Sequence, residues 1–332
     1  MKRCGIQGLK IIVEIIGSLF LLSIFIFCIA RIAPGDPLRS YYGESVERMS
    51  EQEKQNARKN LGLDKPLFTQ YYIWLNHLAH GELGISFQYK QPVKMVISNV
   101  IGNTILLGVT AYVLIFLLAF LLGTLCIQYE QSFFDRWTCR IGTVFTCIPS
   151  FWIALLLILL FSVNLGILPS GGAYSIGQEK TIKDIAKHLV LPVTVLTVEH
   201  VWYYAYLLRN RLLEETRKDY VIFALSKGIP KWYVVWKHCL KSVLPFYVNL
   251  MALSIPHILG GTYIVEKVFS YPGLGTLCFE SAKYHDYDLL MTLSLMTAGV
   301  VMFANQLAKI LCEWLDPRMK EQWMGGESDE AK

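Results

Sequence analysis

Residues 219–245 read DYVIFALSKGIPKWYVVWKHCLKSVLP, a polar and basic stretch set between long apolar runs. Val221 to Ser226 can form a short helix that stops at Gly228, because glycine enters the left-handed conformation that ends a helix without steric cost. Pro230 forbids immediate re-entry, and an amphipathic segment from Trp232 to Leu240 then runs through Lys241 and Pro245 into the next apolar run. The stretch is therefore expected to be two short helices around a glycine hinge. Between Arg209 and Lys241 stand eight Lys/Arg against three Asp/Glu. That excess belongs on the cytosolic side of a membrane by the positive-inside rule, so the stretch is a knob exposed to the cytosol.

The apolar runs on either side set the class. The chain has 332 residues, 54% of them hydrophobic and 17% charged, with a mean hydropathy of +0.40. A soluble domain carries about a quarter charged residues, and roughly 20 apolar residues cross a bilayer. Six runs meet that length: Ile11–Ala30, Ile97–Ile127, Ile141–Val163, Leu189–Leu208, Phe246–Val265 and Leu289–Leu311. The expected fold is all-α and polytopic: six transmembrane helices, a large extracytoplasmic loop after helix 1 and a cytoplasmic coupling helix between helices 4 and 5. The boundaries read as a cytosolic N-terminus (1–10), helix 1 (11–32), the outer loop (33–96), a core holding helices 2–6 (97–315) and a cytosolic tail (316–332). The proposed cytosolic segments hold 16 Lys/Arg, against five in the two short outer loops. Both termini are accordingly placed inside, and Ile11–Ala30 reads as an uncleaved first helix, since it is too long for a typical signal-peptide core and lacks an A-x-A site.

The net charge of +5 lies mostly beside the apolar runs, which excludes a nucleic-acid surface. Cys28, Cys126, Cys139, Cys147 and Cys312 lack CxxC spacing and read as small core residues. In the outer loop, Ser50 with Glu53 forms a capping box for a helix running to Gly62, and Tyr71–Ala79 gives another that ends near Gly81. His77, His80 and Glu82 have spacing compatible with a metal, although two histidines on a surface helix are commonly solvated. Pro149 can kink the third span. No GxxxxGK[ST], HExxH or GxSxG motif occurs, so the chain has no phosphate loop with which to split ATP and no recognisable protease or esterase centre.

Ala224, Gly228 and the Leu244-Pro245 pair fall where binding-protein-dependent ABC importer permeases carry their EAA loop, and the chain resembles that family. Ile222 and Phe223 stand in place of the name-giving Glu and first Ala, a departure common in the peptide and nickel subfamily. Arg31-Ile-Ala-Pro-Gly-Asp-Pro37, Leu61–Pro66, Gly81–Phe87, Ile148–Trp152, Gly166–Pro169 and Asp316-Pro-Arg318 are also similar to that subfamily and occur in its order. The resemblance implies a subunit that binds no cofactor, pairs with a second permease in the lipid bilayer of a prokaryotic plasma membrane and docks on two ATPase subunits that use the ATP. It also implies an extracytoplasmic binding protein delivering di- or oligopeptides or nickel, free or chelated. It assigns ATPase coupling to Asp219, Ala224, Lys227, Gly228 and His238. The competing class, a secondary transporter or channel working alone, predicts an inverted repeat and charged midplane sites.

Two further constellations carry candidate function. Gly260-Gly261, Glu266 and the Pro272-Gly273-Leu-Gly275 turn lie at the outer end of the fifth helix, where the resemblance places the mouth of the pathway. They serve either as an outer gate or as bundle closure. Glu199 and His200 lie near the middle of the fourth span and His257 lies inside the fifth. Intramembrane ionisable groups cost about 3 kcal/mol and therefore face a pathway or a partner. Glu199, Tyr203 and Tyr206 share one helix face at i, i+4 and i+7, which either lines the path or hydrogen-bonds between helices.

Overall fold

The computed structural model describes residues 2–32, 38, 42–60, 62–175, 177 and 181–315. The Pro34-Gly-Asp-Pro37 turn, the Asp316-Pro-Arg318 exit and the polar tail lie outside the described residues. In chain order come α1 (Lys2–Ile32), α2 (Glu51–Asn60), α3 (Leu67–Ala79), β1 (Ile85–Ser86), β2 (Gln91–Pro92), α4 (Val93–Gln128), α5 (Phe133–Cys147) and α6 (Ser150–Leu157). Then follow α7 (Ile182–Thr216), α8 (Asp219–Ser226), α9 (Lys231–Val234), α10 (Leu240–Val268), α11 (Leu274–Lys283) and α12 (Tyr287–Leu315). The fold is all-α apart from one small hairpin. It divides into two compact units, Met1–Thr104 with Pro272–Phe303, and Ile105–Tyr271 with Ala304–Lys332.

In the first unit, α1 buries Phe27 against Tyr71 and Trp74 of α3 and against Tyr287 and Met291 of α12. The Phe27 and Tyr71 rings meet edge-on at 5.4 Å, and Ser23 Oγ lies 2.7 Å from the Tyr71 hydroxyl. The capping box at α2 forms as expected. The Ser50 N–H donates to Glu53 Oε2 at 2.7 Å, and the Glu53 N–H donates to Ser50 Oγ at 3.3 Å. The β1–β2 hairpin is pinned by Asp286, whose Oδ2 accepts from Ser86 Oγ at 2.5 Å and from the Gln88 N–H at 3.2 Å. Burial pushes the Asp286 carboxyl up, against the lowering effect of these donors. Tyr89 donates to Glu280 Oε2 at 3.0 Å, and burial, reinforced by that carboxylate, pushes its hydroxyl up to about 12.

The second unit is organised around α7, which buries Leu196, Tyr204, Leu208 and Leu212. Phe116 of α4 stacks against Tyr204 at 4.8 Å and meets Tyr247 of α10 at 5.7 Å. The Tyr247 hydroxyl is satisfied by donating to the Phe116 carbonyl at 2.6 Å. Phe145 of α5 stacks on Trp202 at 5.8 Å with planes 13° apart. Asp135 and Arg209 lock α5 to α7 through two bonds, Nε to Oδ1 at 2.6 Å and Nη2 to Oδ2 at 2.7 Å.

Four helical segments are apolar and long enough to cross a membrane: Val13–Ile32, Val93–Gln128, Lys231–Val268 and Tyr287–Leu315. The expected third span is a pair of helices, Phe133–Cys147 and Ser150–Asn164, bent by 97°. Pro149 is the cause: it forces Ile148 into an extended conformation (φ −86°, ψ 124°) and restarts the chain as the next helix. The expected fourth span, Leu189–Leu208, is helical throughout but sits in a 35-residue helix more polar than the four, since Glu199, His200 and several tyrosines interrupt it. Of the cysteines expected in the core, Cys126 and Cys312 are buried and Cys139 is half-buried. Cys28 and Cys147 stand exposed on their helices, so the small-core reading fails for those two, and all five of these cysteines are free.

The Asp135–Arg209 pair generates a stability prediction. The Asp135 side chain is 3% exposed, so removing its partner strands a buried charge, which costs about 3 kcal/mol or more. Arg209→Met should lower the thermal midpoint of the detergent-purified protein, and Asp135→Asn in the same chain should restore part of the loss. Equal midpoints for native and Arg209→Met protein would remove the pair from the account of the fold.

Candidate functional site

The knob forms as the sequence leads one to expect. Asp219 opens α8, where a carboxylate complements the positive end of the helix dipole. Gly228 ends the turn with φ +80°, its N–H reaching the Leu225 carbonyl at 2.9 Å while the Ile229 N–H reaches Ala224 at 3.3 Å. Pro230 precedes α9, and the chain passes through a π-helical turn, Val235–Cys239, into α10 without a break. On α8 the Val221 side chain is buried, while Tyr220, Ile222, Phe223 and Leu225 are exposed. Trp232 and Trp236 continue this apolar surface. Lys227 lies 4.2 Å over the Phe223 ring, Ala224 is half-buried against the core, and His238 is exposed with its ring 6.2 Å from Tyr233.

The base of the knob is clamped by charges that sequence reasoning missed. Glu215, at the end of α7, is 3% exposed. Its Oε1 accepts from the Tyr220 hydroxyl at 2.8 Å and its Oε2 pairs with Lys218 Nζ at 2.7 Å. Burial by itself would raise the Glu215 carboxyl, but hydrogen bonds from Lys218, Tyr220 and Ser242 outweigh it and hold it below the usual range. Burial and the same carboxylate push the Tyr220 hydroxyl up strongly. Farther along, Lys231 Nζ reaches Glu130 Oε2 at 3.3 Å, tying α9 to the α4–α5 turn. The Glu215–Lys218–Tyr220 spacing is the sequence signal that could have exposed the clamp; Glu130–Lys231 and Asp135–Arg209 are too far apart in the chain for such a signal.

The midplane residues separate into two groups. His200 is buried, with Nδ1 at 3.0 Å from the Leu196 carbonyl and its ring edge-on to His257 at 5.2 Å. Gly261 packs closely against it: a Cβ there would lie 3.3 Å from His200 Cε1, a tight contact that the imidazole would have to yield to. Glu199 stands beside His200 and is less buried. Its Oε2 is 3.8 Å from His200 Nδ1, beyond hydrogen-bond range, and is buried without a hydrogen-bond partner. Tyr203 and Tyr206 are exposed on the Glu199 side. Among the described residues no three His, Cys, Asp or Glu side chains converge on a point that would hold a metal. His77 pairs with Glu82 at 2.5 Å and His80 with the Asn76 carbonyl at 2.8 Å, so these two histidines serve separate partners.

At the outer end, α10 runs straight through Gly260 and Gly261, and the turn comes later, at Phe269–Gly273. Glu266 is fully buried in the second unit, where its carbonyl accepts from the Tyr271 N–H at 2.8 Å. In the first unit the Pro272 carbonyl accepts from Asn103 Nδ2 at 3.0 Å. Gly273 is extended and caps α11, whose Leu274 N–H donates to Thr104 Oγ1 at 2.7 Å, and Gly275 lies in its first turn.

The comparisons with known proteins follow this geometry. Residues 115–321 match the family described as binding-protein-dependent transport system inner membrane component, and residues 9–108 match the corresponding N-terminal family. The chain is 33% identical over 306 residues to a putative peptide permease protein of Brucella suis, covering 92% of this chain and 96% of that one. It is 32% identical over 300 residues to the oligopeptide transport system permease protein AppB of Bacillus subtilis, covering 90% and 94%. It is 29% identical over 312 residues to the probable D,D-dipeptide transport system permease protein DdpB of Escherichia coli, covering 88% and 91%. Among solved structures it shares the fold of a chain of the inward-facing MetNI methionine ABC transporter, with a TM-score of 0.53 at 17% identity over 67% of this chain and 97% of that chain.

The clamp predicts how the knob is ordered. Glu215→Gln keeps the shape and removes the charge that Lys218 and Tyr220 share, and hydrogen bonds to charged groups contribute about 1.5–3 kcal/mol. Amide hydrogen exchange over residues 219–226 should rise at least ~10-fold in that variant. Unchanged exchange there would show that Val221 packing alone holds the knob.

Proposed function

Because the chain belongs to the family of binding-protein-dependent transport system inner membrane components, we propose that it is the permease subunit of an ATP-driven importer that carries di- or oligopeptides into the cytosol. In this reading the chain crosses the plasma membrane six times, through α1, α4, the bent α5–α6 pair, α7, α10 and α12, with both termini inside. α7 counts as a crossing because its buried polar residues, His200 and Tyr204 among them, face other helices. The partners are a second permease, two ATPase subunits and an extracytoplasmic binding protein. ATP is bound and split by the ATPase subunits, and this chain holds no cofactor.

The observation that carries the reading is the knob. A short helix with one buried anchor, Val221, presents Tyr220, Ile222, Phe223 and Leu225 outward on a segment otherwise built for water. Apolar surface of that kind, rimmed by Lys218, Lys227 and Lys237, marks a protein interface. Closure of the ATPase dimer would push this surface, and the buried Glu215 clamp would pass the displacement to α7 and α10, opening the pathway by alternating access. The names of the relatives support a peptide cargo.

Reconstitution tests the reading. The complete complex with its binding protein should take up peptide only with ATP, whereas the chain alone in vesicles should neither hydrolyse ATP nor accumulate peptide under an imposed ion gradient. Gly228→Val places a β-branched residue at φ +80°, which it resists, and should lower peptide transported per ATP hydrolysed by ~10-fold or more. Gradient-driven uptake by the lone chain would instead identify a secondary transporter.

A further inference from the structure

The second unit contains a cavity of about 220 Å³ between α5 and α7, walled by Gly142, Thr143, Trp202, Tyr203 and Tyr206 and floored by Arg209. Its chemistry is neutral. The one charge that borders it, the Arg209 guanidinium, is already held by both oxygens of Asp135. The threonine hydroxyl of Thr143 donates to the Cys139 carbonyl at 3.0 Å, so it presents a methyl and a lone pair rather than a free donor. Trp202, Tyr203 and Tyr206 supply aromatic faces, further threonine and cysteine side chains complete the lining, and the Trp202 Nε1–H is buried without a hydrogen-bond partner. Gly142 lets α5 come close to α7 beside the cavity, where a Cβ would lie 3.2 Å from the Cβ of Trp202. Sites that enclose whole small ligands measure roughly 300–1,000 Å³. This cavity is smaller, and holds one side chain rather than a cargo.

One turn above Tyr203 on the same helix stands Glu199, with Oε2 buried and lacking a hydrogen-bond partner. Ser150 hydrogen-bonds the same carboxyl and His200 Nδ1 stands 3.8 Å from Oε2, which leaves this one oxygen able to take a further donor or a cation. Four residues of helix separate the two features, about 6 Å along the axis. That equals roughly two residues of an extended peptide at 3.3–3.6 Å each. We infer that Glu199 and the α5–α7 cavity form a two-point receptor for the leading end of a peptide, the carboxylate taking the free terminal ammonium and the cavity a large neutral side chain at the first or second position.

This inference rests on the peptide-importer reading and specifies its substrate class. The tripeptides Phe-Ala-Ala and Gly-Ala-Ala, and N-acetyl-Phe-Ala-Ala, serve as probes in ATP-dependent uptake by the complete reconstituted complex. Transport should favour Phe-Ala-Ala over Gly-Ala-Ala, and over its acetylated form. Thr143 is exposed, so Thr143→Phe fills the cavity from its rim without disturbing the buried core. It should reduce the Phe-to-Gly uptake ratio ~10-fold, on the scale by which apolar pockets discriminate. Thr143→Ala, which leaves the space open, should keep the ratio. Glu199→Gln should abolish discrimination between free and acetylated peptides while leaving the Phe-to-Gly ratio in place. A ratio that is the same in native and Thr143→Phe complexes, or acetylated peptide carried as well as free by the native complex, would overturn the receptor and leave the importer standing. Absence of ATP-dependent uptake of all three probes by the native complex would instead overturn the peptide-importer reading on which the receptor rests.

Discussion

A carboxylate buried at the foot of a membrane helix has to be compensated, and the end of this protein that carries the knob is arranged around that requirement. Glu215 is 3% exposed and accepts from Tyr220 and Lys218 on the far side of the turn that follows α7. Releasing either donor would leave charge in a low-dielectric setting, where an unpaired group costs far more than the pair itself contributes. The short helix α8 therefore cannot drift from α7 without a penalty, even though a helix of eight residues has little stability of its own. Asp135 with Arg209 imposes the same condition on α5, and Glu130 with Lys231 a weaker, more exposed one on α9.

This explains how a surface knob can be both apolar and firm. The exposed Ile222, Phe223, Trp232 and Trp236 are free to meet a partner because none of them is needed to hold the segment in place. Val221 and the ion pairs do that. A displacement applied to the apolar face reaches α7 and α10 through groups that resist separation, which a flexible loop would not transmit.

In the membrane-crossing parts the usual arrangement of apolar and polar residues is reversed. Ile105, Val109, Val113 and Leu117 line an exposed stripe of α4, as lipid-facing side chains do. α7 instead gathers His200 and Tyr204 inside, where His257, Phe116 and the Leu196 carbonyl meet them. A helix enclosed by other helices does not need a continuous apolar surface. That is why α7 is the most polar of the long helices and also the most central.

Much was legible from the order of residues. The hinge at Gly228, the capping box at Ser50 and Glu53, the breaking effect of Pro149 and the apolar length of α1, α4, α10 and α12 all follow from local rules, because each depends on neighbours within a few residues. Local rules also placed Glu199, Tyr203 and Tyr206 on one face, since helical periodicity alone decides it. They could not show that Pro149 would turn the chain by 97°, that His200 would meet His257 edge-on, or that Gly261 would lie against His200. Nor could they pair Asp135 with Arg209, or Ser86 with Asp286 across 200 positions of chain. Those facts depend on which helices come to lie side by side, and residues remote in sequence acquire a shared environment only when packing and the exclusion of water bring them together.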